Sequence, residues 1–345
     1  MKIFHGLQAS GLAPACALTI GNFDGVHRGH QAMLALLAAE ARQRSVASCV
    51  LTFEPHPRDY FAAEQRKPDL APARIGTLRD KLAGLARCGV DQAVVVRFNA
   101  QLAQLPAQAF IDEVVVEALG ARYVLVGDDF RFGARRAGDY DMLDAAGRAA
   151  GFDVARMLSY EVHGERVSST AVREALAAGD MDAAARLLGR PYAISGHVVR
   201  GRRLGRELGA SSAGAGDGFR TLNLRFSHWK PAASGIFAVL VHGLGAAPLQ
   251  GVANLGVRPS LDPRDVNAGR VLLETHCLDW PAELGAEGGY GKIICVELLC
   301  KLHDELRYES LQALTEGIAR DRDAARAYFA TTYLQTRRQT TRDRI

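Results

Sequence analysis

Two familiar glycine-rich signatures are missing from this chain of 345 residues. Nowhere does G-x-x-x-x-G-K-[ST] occur, and no G-x-G-x-x-G follows a strand-like run, which excludes a P-loop and a Rossmann dinucleotide turn. Aromatic residues make up only 7% of the chain, and no basic-aromatic interleaving marks the strand-like runs of its second half, so a stacking platform for single-stranded nucleic acid has little to be built from there. Six cysteines lie at 16, 49, 88, 277, 295 and 300, none in C-x-x-C and most in apolar runs, so they read as buried free thiols of a reducing compartment and not as a zinc site or disulfide frame. The longest charge-free stretch, Pro231 to Val257, spans 27 residues but holds five glycines, Pro248 and Asn254, so it reads as strands and turns and not as a membrane span. No signal peptide is evident, and cytoplasm is the expected compartment. Charge of one sign is scarce too: the net is +4, with pI near 8.8, which fits anionic small molecules as well as any larger polyanion. The basic end, with Arg337, Arg338, Arg342 and Arg344, reads as a frayed tail over 334–345.

What is present is a rhythm. Ala17–Ile20, Val46–Phe53, Gln92–Phe98, Tyr123–Val126 and Asp153–Leu158 read as strands, and helical patterns alternate with them at Gln31–Glu40, Thr77–Cys88, Ala107–Leu119 and Asp141–Gly151. That alternation predicts a parallel sheet covered by helices, with ligands gathering at the carboxyl ends of its strands. Thr170–Leu188 reads as one helical stretch stopped by Gly189-Arg190-Pro191. Beyond it come six strand candidates without a helix between them: Ala193–Val199, Thr221–Phe226, Ile236–Val241, Gln250–Leu255, Val271–Asp279 and Lys292–Leu302. Such spacing predicts a closed or sandwiched antiparallel sheet, followed by a helix over Ser310–Ala330. The expected domains are 1–187, 188–333 and the tail.

The chemistry concentrates in Gly21-Asn22-Phe23-Asp24-Gly25-Val26-His27-Arg28-Gly29-His30, between the first strand and the first helix. Glycines allow a tight turn, the helix N-terminus favours an anion, and two histidines three apart share a face there. Glu54-Pro55-His56-Pro57 and Gly127-Asp128-Asp129-Phe130 also follow strands and should face the same crevice. Ser168-Ser169-Thr170-Ala171-Val172-Arg173, read alone, is a helix cap; read with the first turn, it is a second phosphate clamp. Phe53, Phe130 and Phe132 read equally well as ordinary core.

Taken in order, G-N-F-D-G-V-H-x-G-H, T-F-E-P-H-P, V-G-D-D-F-R-F-G, S-S-T-x-x-R and L-G-R-P-Y resemble the prokaryotic bifunctional riboflavin kinase/FMN adenylyltransferase (FAD synthetase) family, from about residue 15 to 330. The resemblance implies an α/β nucleotidyltransferase-like parallel sheet and a six-stranded antiparallel β-barrel with a C-terminal helix. It implies two activities, ATP-dependent phosphorylation of riboflavin to FMN and adenylylation of FMN to FAD with release of pyrophosphate. Mg2+ would serve as cofactor, and riboflavin, FMN, FAD and ATP would be substrates or products. Carried over residue by residue, it places ATP or its phosphates at Gly21, Asn22, Phe23, His27, His30, Ser168, Thr170 and Arg173, and the flavin at Phe53, Pro57, Asp129, Phe130 and Arg307. In the barrel it makes Thr221 and Asn223 the ligands of metal and phosphate and Glu274 the catalytic base, with His27 and His30 catalytic in the sheet. Small molecules are then the expected partners, with no membrane, no nucleic acid expected, and self-association open. The family's G-x-x-L-G-R-x-L-G-F-P-T-A-N is interrupted: after Gly201–Gly209 nine residues intervene, and Arg220 and Leu222 stand where the pattern has Pro and Ala. An adenylyltransferase with an impaired kinase barrel, and a nucleic-acid-binding module, are the competing expectations.

Overall fold

The computed structural model describes residues 1–162, 164–200, 221–225, 230–257, 271–285 and 287–333. The interrupted pattern at 201–220 and the tail lie outside the described residues.

The first strands are built from β-branched and small apolar residues that hide both faces. β1 (Lys2–His5), β2 (Cys16–Ile20), β3 (Ala47–Glu54), β4 (Gln92–Arg97), β5 (Ala121–Gly127) and β6 (Asp153–Met157) form a six-stranded sheet in the order β1-β4-β3-β2-β5-β6. Every pairing in it is parallel. The period of two splits each strand between two cores. Cys16, Leu18, Ile20, Cys49 and Leu51 join one, while Ala17, Val50, Ala93 and Leu125 join the other. Fully burying Leu18 contributes on the order of 2 kcal/mol by itself.

Helices cover both faces. α1 (Arg28–Gln43) and α3 (Leu78–Arg87) bring Leu34, Leu37 and Leu85 to one side. The short α2 (Pro57–Glu64) and α4 (Ala100–Gln104) follow β3 and β4. α5 (Ala107–Ala109) continues as a π-helix, Phe110–Ala118, where the sequence pattern predicts an ordinary α-helix; with α6 (Tyr140–Ala150) it closes the other side. Leu119 N–H bonds Val114 C=O, the i→i−5 spacing of the wider turn, while Phe110, Ile111, Val114 and Val115 are all buried. A hairpin, β7 (Glu161–Val162) and β8 (Glu165–Arg166), precedes α7.

The single helix expected over Thr170–Leu188 is two, α7 (Ser169–Ala178) and α8 (Met181–Leu188). Gly179, at φ +76, ends the first in a left-handed turn, and the Asp180 carboxylate caps the second by accepting from Ala183 N–H at 2.8 Å.

The six expected strands close into a barrel. β9 (Tyr192–Val199), β10 (Leu222–Arg225), β11 (Gly235–His242), β12 (Leu249–Val257), β13 (Val271–Cys277) and β14 (Ile293–His303) follow the order β10-β13-β12-β11-β14-β9. Leu224, Leu255 and Leu273 stand opposite one another with 0% exposure and fill the inside. On the outside, Ile236, Ala238 and Leu240 pack against Ala325 and Phe329, the first from α9 (Leu311–Tyr328) and the second from the π-turn after it.

The chain divides into two compact units. One comprises Met1–Pro72 and Leu78–Ala171; the other comprises Ala73–Thr77 and Val172–Ile345. The change of unit comes after Ala171, and a five-residue strap of the first half, Ala73–Thr77, goes with the barrel. In that strap Arg74 N–H donates to Lys230 C=O and Ala232 N–H to Arg74 C=O, each at 3.2 Å.

Two buried thiols mark the sheet. Cys16 Sγ donates to Leu119 C=O at 3.2 Å, and its hydrogen bond with the Cys49 side chain, together with burial, holds it far above an ordinary thiol's pKa. In the barrel, burial pushes the Cys277 thiol up to about 12.

Candidate functional site

β2 is a central strand, and its neighbours β3 and β5 run parallel to it, so the segments after all three leave the same edge of the sheet. This is where the sequence places Gly21–His30, Glu54–Pro57 and Gly127–Phe130.

The turn after β2 is strained. Phe23 (φ +49) and Val26 (φ +42) both occupy the left-handed region, which a β-branched residue rarely adopts. Packing holds them there: Phe23 is 2% and Val26 1% exposed. Val26 lies so close to α3 that a Cβ on Gly84 would fall 2.9 Å from its Cγ2, so only glycine fits at 84. The turn delivers His27 to the N-cap of α1, one residue before the helix begins. There Nδ1 accepts the His30 N–H at 3.3 Å, and a proton on this ring therefore sits on Nε2. The His30 ring stacks on His27 at 3.7 Å between centroids, and Phe23 leans on His30 at 4.9 Å. Both imidazoles thus stand at a helix N-terminus, where backbone N–H groups and the helix dipole favour an anion.

The start of α7 and the residue pair before it meet this turn. Ser169 Oγ donates to Asp24 C=O at 3.2 Å, and Val167 C=O would lie 3.4 Å from a Cβ on Gly29. Ser168 Oγ accepts Ala171 N–H at 3.1 Å, capping α7 while its own hydroxyl proton remains available to a ligand. Thr170 is exposed. Arg173, which belongs to the other unit, donates from Nε to Ala73 C=O at 2.6 Å.

Two residues that the sequence reading did not name support the turn. Lys81, only 3% exposed, sets Nζ 3.2 Å from Thr52 Oγ1 and 3.4 Å from Phe53 C=O. Thr52 Oγ1 in turn donates to Asn22 C=O at 3.3 Å. The signal was present, because Lys81 falls on the apolar stripe of Leu78, Leu82 and Leu85, where a lysine is out of place unless its charge is used.

Of the residues expected at the flavin, Phe53 and Phe130 are half-buried and pack against the core, and Pro57 begins α2. Phe53, Tyr60 and Phe61 gather edge-on around Phe98 at 5.4–5.9 Å. Asp129 is exposed, and the neighbouring Asp128 accepts from the Ser159 hydroxyl at 2.6 Å. That hydrogen bond, with Arg166 nearby, holds the Asp128 carboxyl below its usual range. Phe132 is core, 6% exposed.

In the barrel, the residues that point outward form a row. Asn223 stands opposite Glu274 across β10 and β13, and Glu274 opposite Asn254 across β13 and β12. Asn223 is 3% exposed; its Nδ2 donates to Thr221 C=O at 3.5 Å, while its Oδ1 is buried with no hydrogen-bond partner among the described residues. Asn254 Oδ1 is buried in the same condition. Glu274 is half-buried, and Arg307 is exposed on the segment before α9.

A parallel sheet with a histidine-bearing strand-turn-helix, joined in one chain to a closed six-stranded barrel, defines a protein of the nucleotidyltransferase-plus-barrel class. Residues 10–171 match the FAD synthetase family and residues 188–329 the riboflavin kinase family. The chain is 45% identical to the bifunctional riboflavin kinase/FMN adenylyltransferase of Escherichia coli strain K12, over 96% of this chain and 99% of that one. It is 42% identical to the protein of the same description from Pseudomonas fluorescens, over 96% and 98%. The chain belongs to the bifunctional riboflavin kinase/FMN adenylyltransferase family. A crystal structure from Streptococcus pneumoniae described as a macrolide-efflux protein is also similar, with TM-score 0.70 and 25% identity over 94% of this chain and 99% of that one. Among the described residues no helix here is long and apolar enough to cross a membrane.

Proposed function

We propose that the chain makes FMN and then FAD by two transfers from ATP, phosphorylation of riboflavin in 188–333 and adenylylation of FMN in 1–187. The observation that carries this reading is the stacked His27–His30 pair at the N-terminus of α1, in the same chain as a barrel whose outer row sets a carboxylate between two side-chain amides.

In the sheet, an oxygen of the FMN phosphate attacks the α-phosphorus of ATP and pyrophosphate leaves. No covalent protein intermediate is needed; the residues hold two polyanions in line and offset the charge that develops. His27 and His30 donate to phosphate oxygens from the helix terminus, Gly21, Asn22 and Phe23 border the nucleotide, and Ser168, Thr170 and Arg173 supply the second clamp. Phe53, Pro57, Asp129 and Phe130 form the flavin side.

In the barrel, Glu274 accepts the proton of the ribityl 5′-hydroxyl as that oxygen attacks the γ-phosphorus and ADP leaves. Magnesium fits here: the buried Asn223 Oδ1 has no partner among the described residues, and a hard cation takes neutral oxygen donors such as this amide and the Thr221 hydroxyl. When bound, the ion supplies charge neutralisation on the polyphosphate. Arg307 faces the flavin.

The test is incubation with riboflavin, ATP and magnesium, with products resolved by chromatography. FMN with ADP should appear first, then FAD with pyrophosphate. FAD from supplied FMN, with riboflavin left untouched, would leave only the adenylyltransferase in place.

A further inference from the structure

We propose that Asn254 is the residue that selects a polyhydroxyl chain on the phosphoryl acceptor, its Oδ1 accepting a hydrogen bond from a ribityl hydroxyl. This rests on the reading of Glu274 as the base of the kinase reaction.

The outward row of the barrel has an order. Strand pairing sets Asn223 on one side of Glu274 and Asn254 on the other. Directly opposed side chains stand about 5 Å apart at Cβ, so all three reach the same patch of surface. Leu222, Leu224, Leu273, Thr275, Ala253 and Leu255 alternate with them and are buried inside, which fixes the row on the outer face. On its far side Asn254 is followed by Ile236, which is 8% exposed and packed toward Ala325 and Phe329. The polar row thus ends at Asn254, where the core beneath α9 begins.

The two amides differ in what they hold. Asn223 Nδ2 already donates to Thr221 C=O, tying it to the residue that would accompany it on the phosphate side. Among the described residues Asn254 shows no such tie, and its Oδ1 is buried with no partner. A buried acceptor left without a donor costs about 1–3 kcal/mol, and a bound hydroxyl removes that cost. A phosphate oxygen cannot do so, because it too is an acceptor. With phosphate and cation at Asn223, the base must lie between phosphorus and alcohol, and the next acceptor along the row then meets the alcohol's own chain. A polyol offers several O–H donors close to the reacting 5′-hydroxyl; the flavin ring offers a single N3–H, on its pyrimidine edge and away from the chain that carries that hydroxyl. The acceptor it takes is therefore a hydroxylated chain, its hydroxyls reaching Asn254 from beside Glu274.

The test uses the full-length protein and three measurements on riboflavin phosphorylation: KM for riboflavin, KM for magnesium-ATP, and Ki for lumiflavin, which has the ring without the ribityl chain. Asn254→Ala should raise the riboflavin KM about tenfold while kcat, the magnesium-ATP KM and the lumiflavin Ki stay within about twofold, the pattern of lost binding common to ground and transition states. Asn254→Asp keeps the acceptor and adds a like charge beside Glu274. It should retain the riboflavin KM within about twofold and move the acidic limb of the kcat profile to higher pH, because a neighbouring anion disfavours ionisation of the base. An unchanged riboflavin KM in Asn254→Ala would overturn the inference, as would a parallel rise in the lumiflavin Ki or the magnesium-ATP KM. Absence of phosphorylation by the wild-type protein would remove the functional reading and this inference together. Phosphorylation indifferent to Asn254 would remove the inference alone.

Discussion

His27 and His30 divide the work of one helix terminus. The first closes it, accepting the His30 N–H and presenting Nε2; the second stands one turn in with its ring against the first. Replacing His30 by Ala leaves the backbone cap intact and removes the ring proposed as a donor to developing charge. FAD formation from supplied FMN should fall by about 10² or more, while FMN formation from riboflavin is spared. Equal loss of both reactions in a folded variant would defeat the assignment. Glu274→Gln should give the opposite profile, since an amide of the same size is a far weaker proton acceptor. Phosphorylation should drop while supplied FMN is still adenylylated, and a discontinuous assay with each flavin in turn distinguishes the two. The histidines could be read in the sequence because a short spacing on one helix carries their geometry with it. Asn254 could not, because its meaning comes from a strand pairing with β13, whose residues lie some twenty positions further along the chain.

At the scale of elements, the alternation of apolar runs located every strand of the large sheet and the barrel except β1 to within a few residues, since burial on one face or both writes itself directly into composition. Short pieces escaped: β1, α2, α4 and the β7–β8 hairpin are too brief to show a period. The break between α7 and α8 escaped as well, although Gly179-Asp180 carries both a stop and a cap. One contact between elements depends on pH. His303, at the end of β14, sets Nε2 2.7 Å from Asp321 on α9. Burial works against its charge, but the hydrogen bond to Asp321, helped by Asp304, outweighs it and raises the histidine's pKa. A raised histidine pKa stabilises the fold fully below the unfolded value of about 6.5, and this contribution is lost as pH rises through the folded value. Melting should therefore show a drop in Tm across that window, and His303→Gln should flatten it. A pH dependence unchanged in the variant would assign it to other groups.

For the whole molecule, the two units explain why one chain can house two transfers, each with its own core and its own edge of polar residues. The sequence shows the change of rhythm near 188 but not the strap at Ala73–Thr77, since a short segment leaving one unit for another has no periodic signature. A fragment ending near Arg190 should fold as an α/β protein and bind FMN and ATP by calorimetry. A folded fragment without ATP binding would place part of the adenylyl site in the second half. The buried cysteines add a consequence of a different kind. Thiol reagents attack the thiolate, and Cys16, held by Cys49 and burial, and Cys277, pushed up to about 12, offer almost none while the strands around them stay closed. Each is thus a clock for its own sheet: under native conditions the half-buried Cys88, Cys295 and Cys300 should be alkylated first, and the later labelling times of Cys16 and Cys277, read by mass spectrometry, would measure how often the parallel sheet and the barrel each come open.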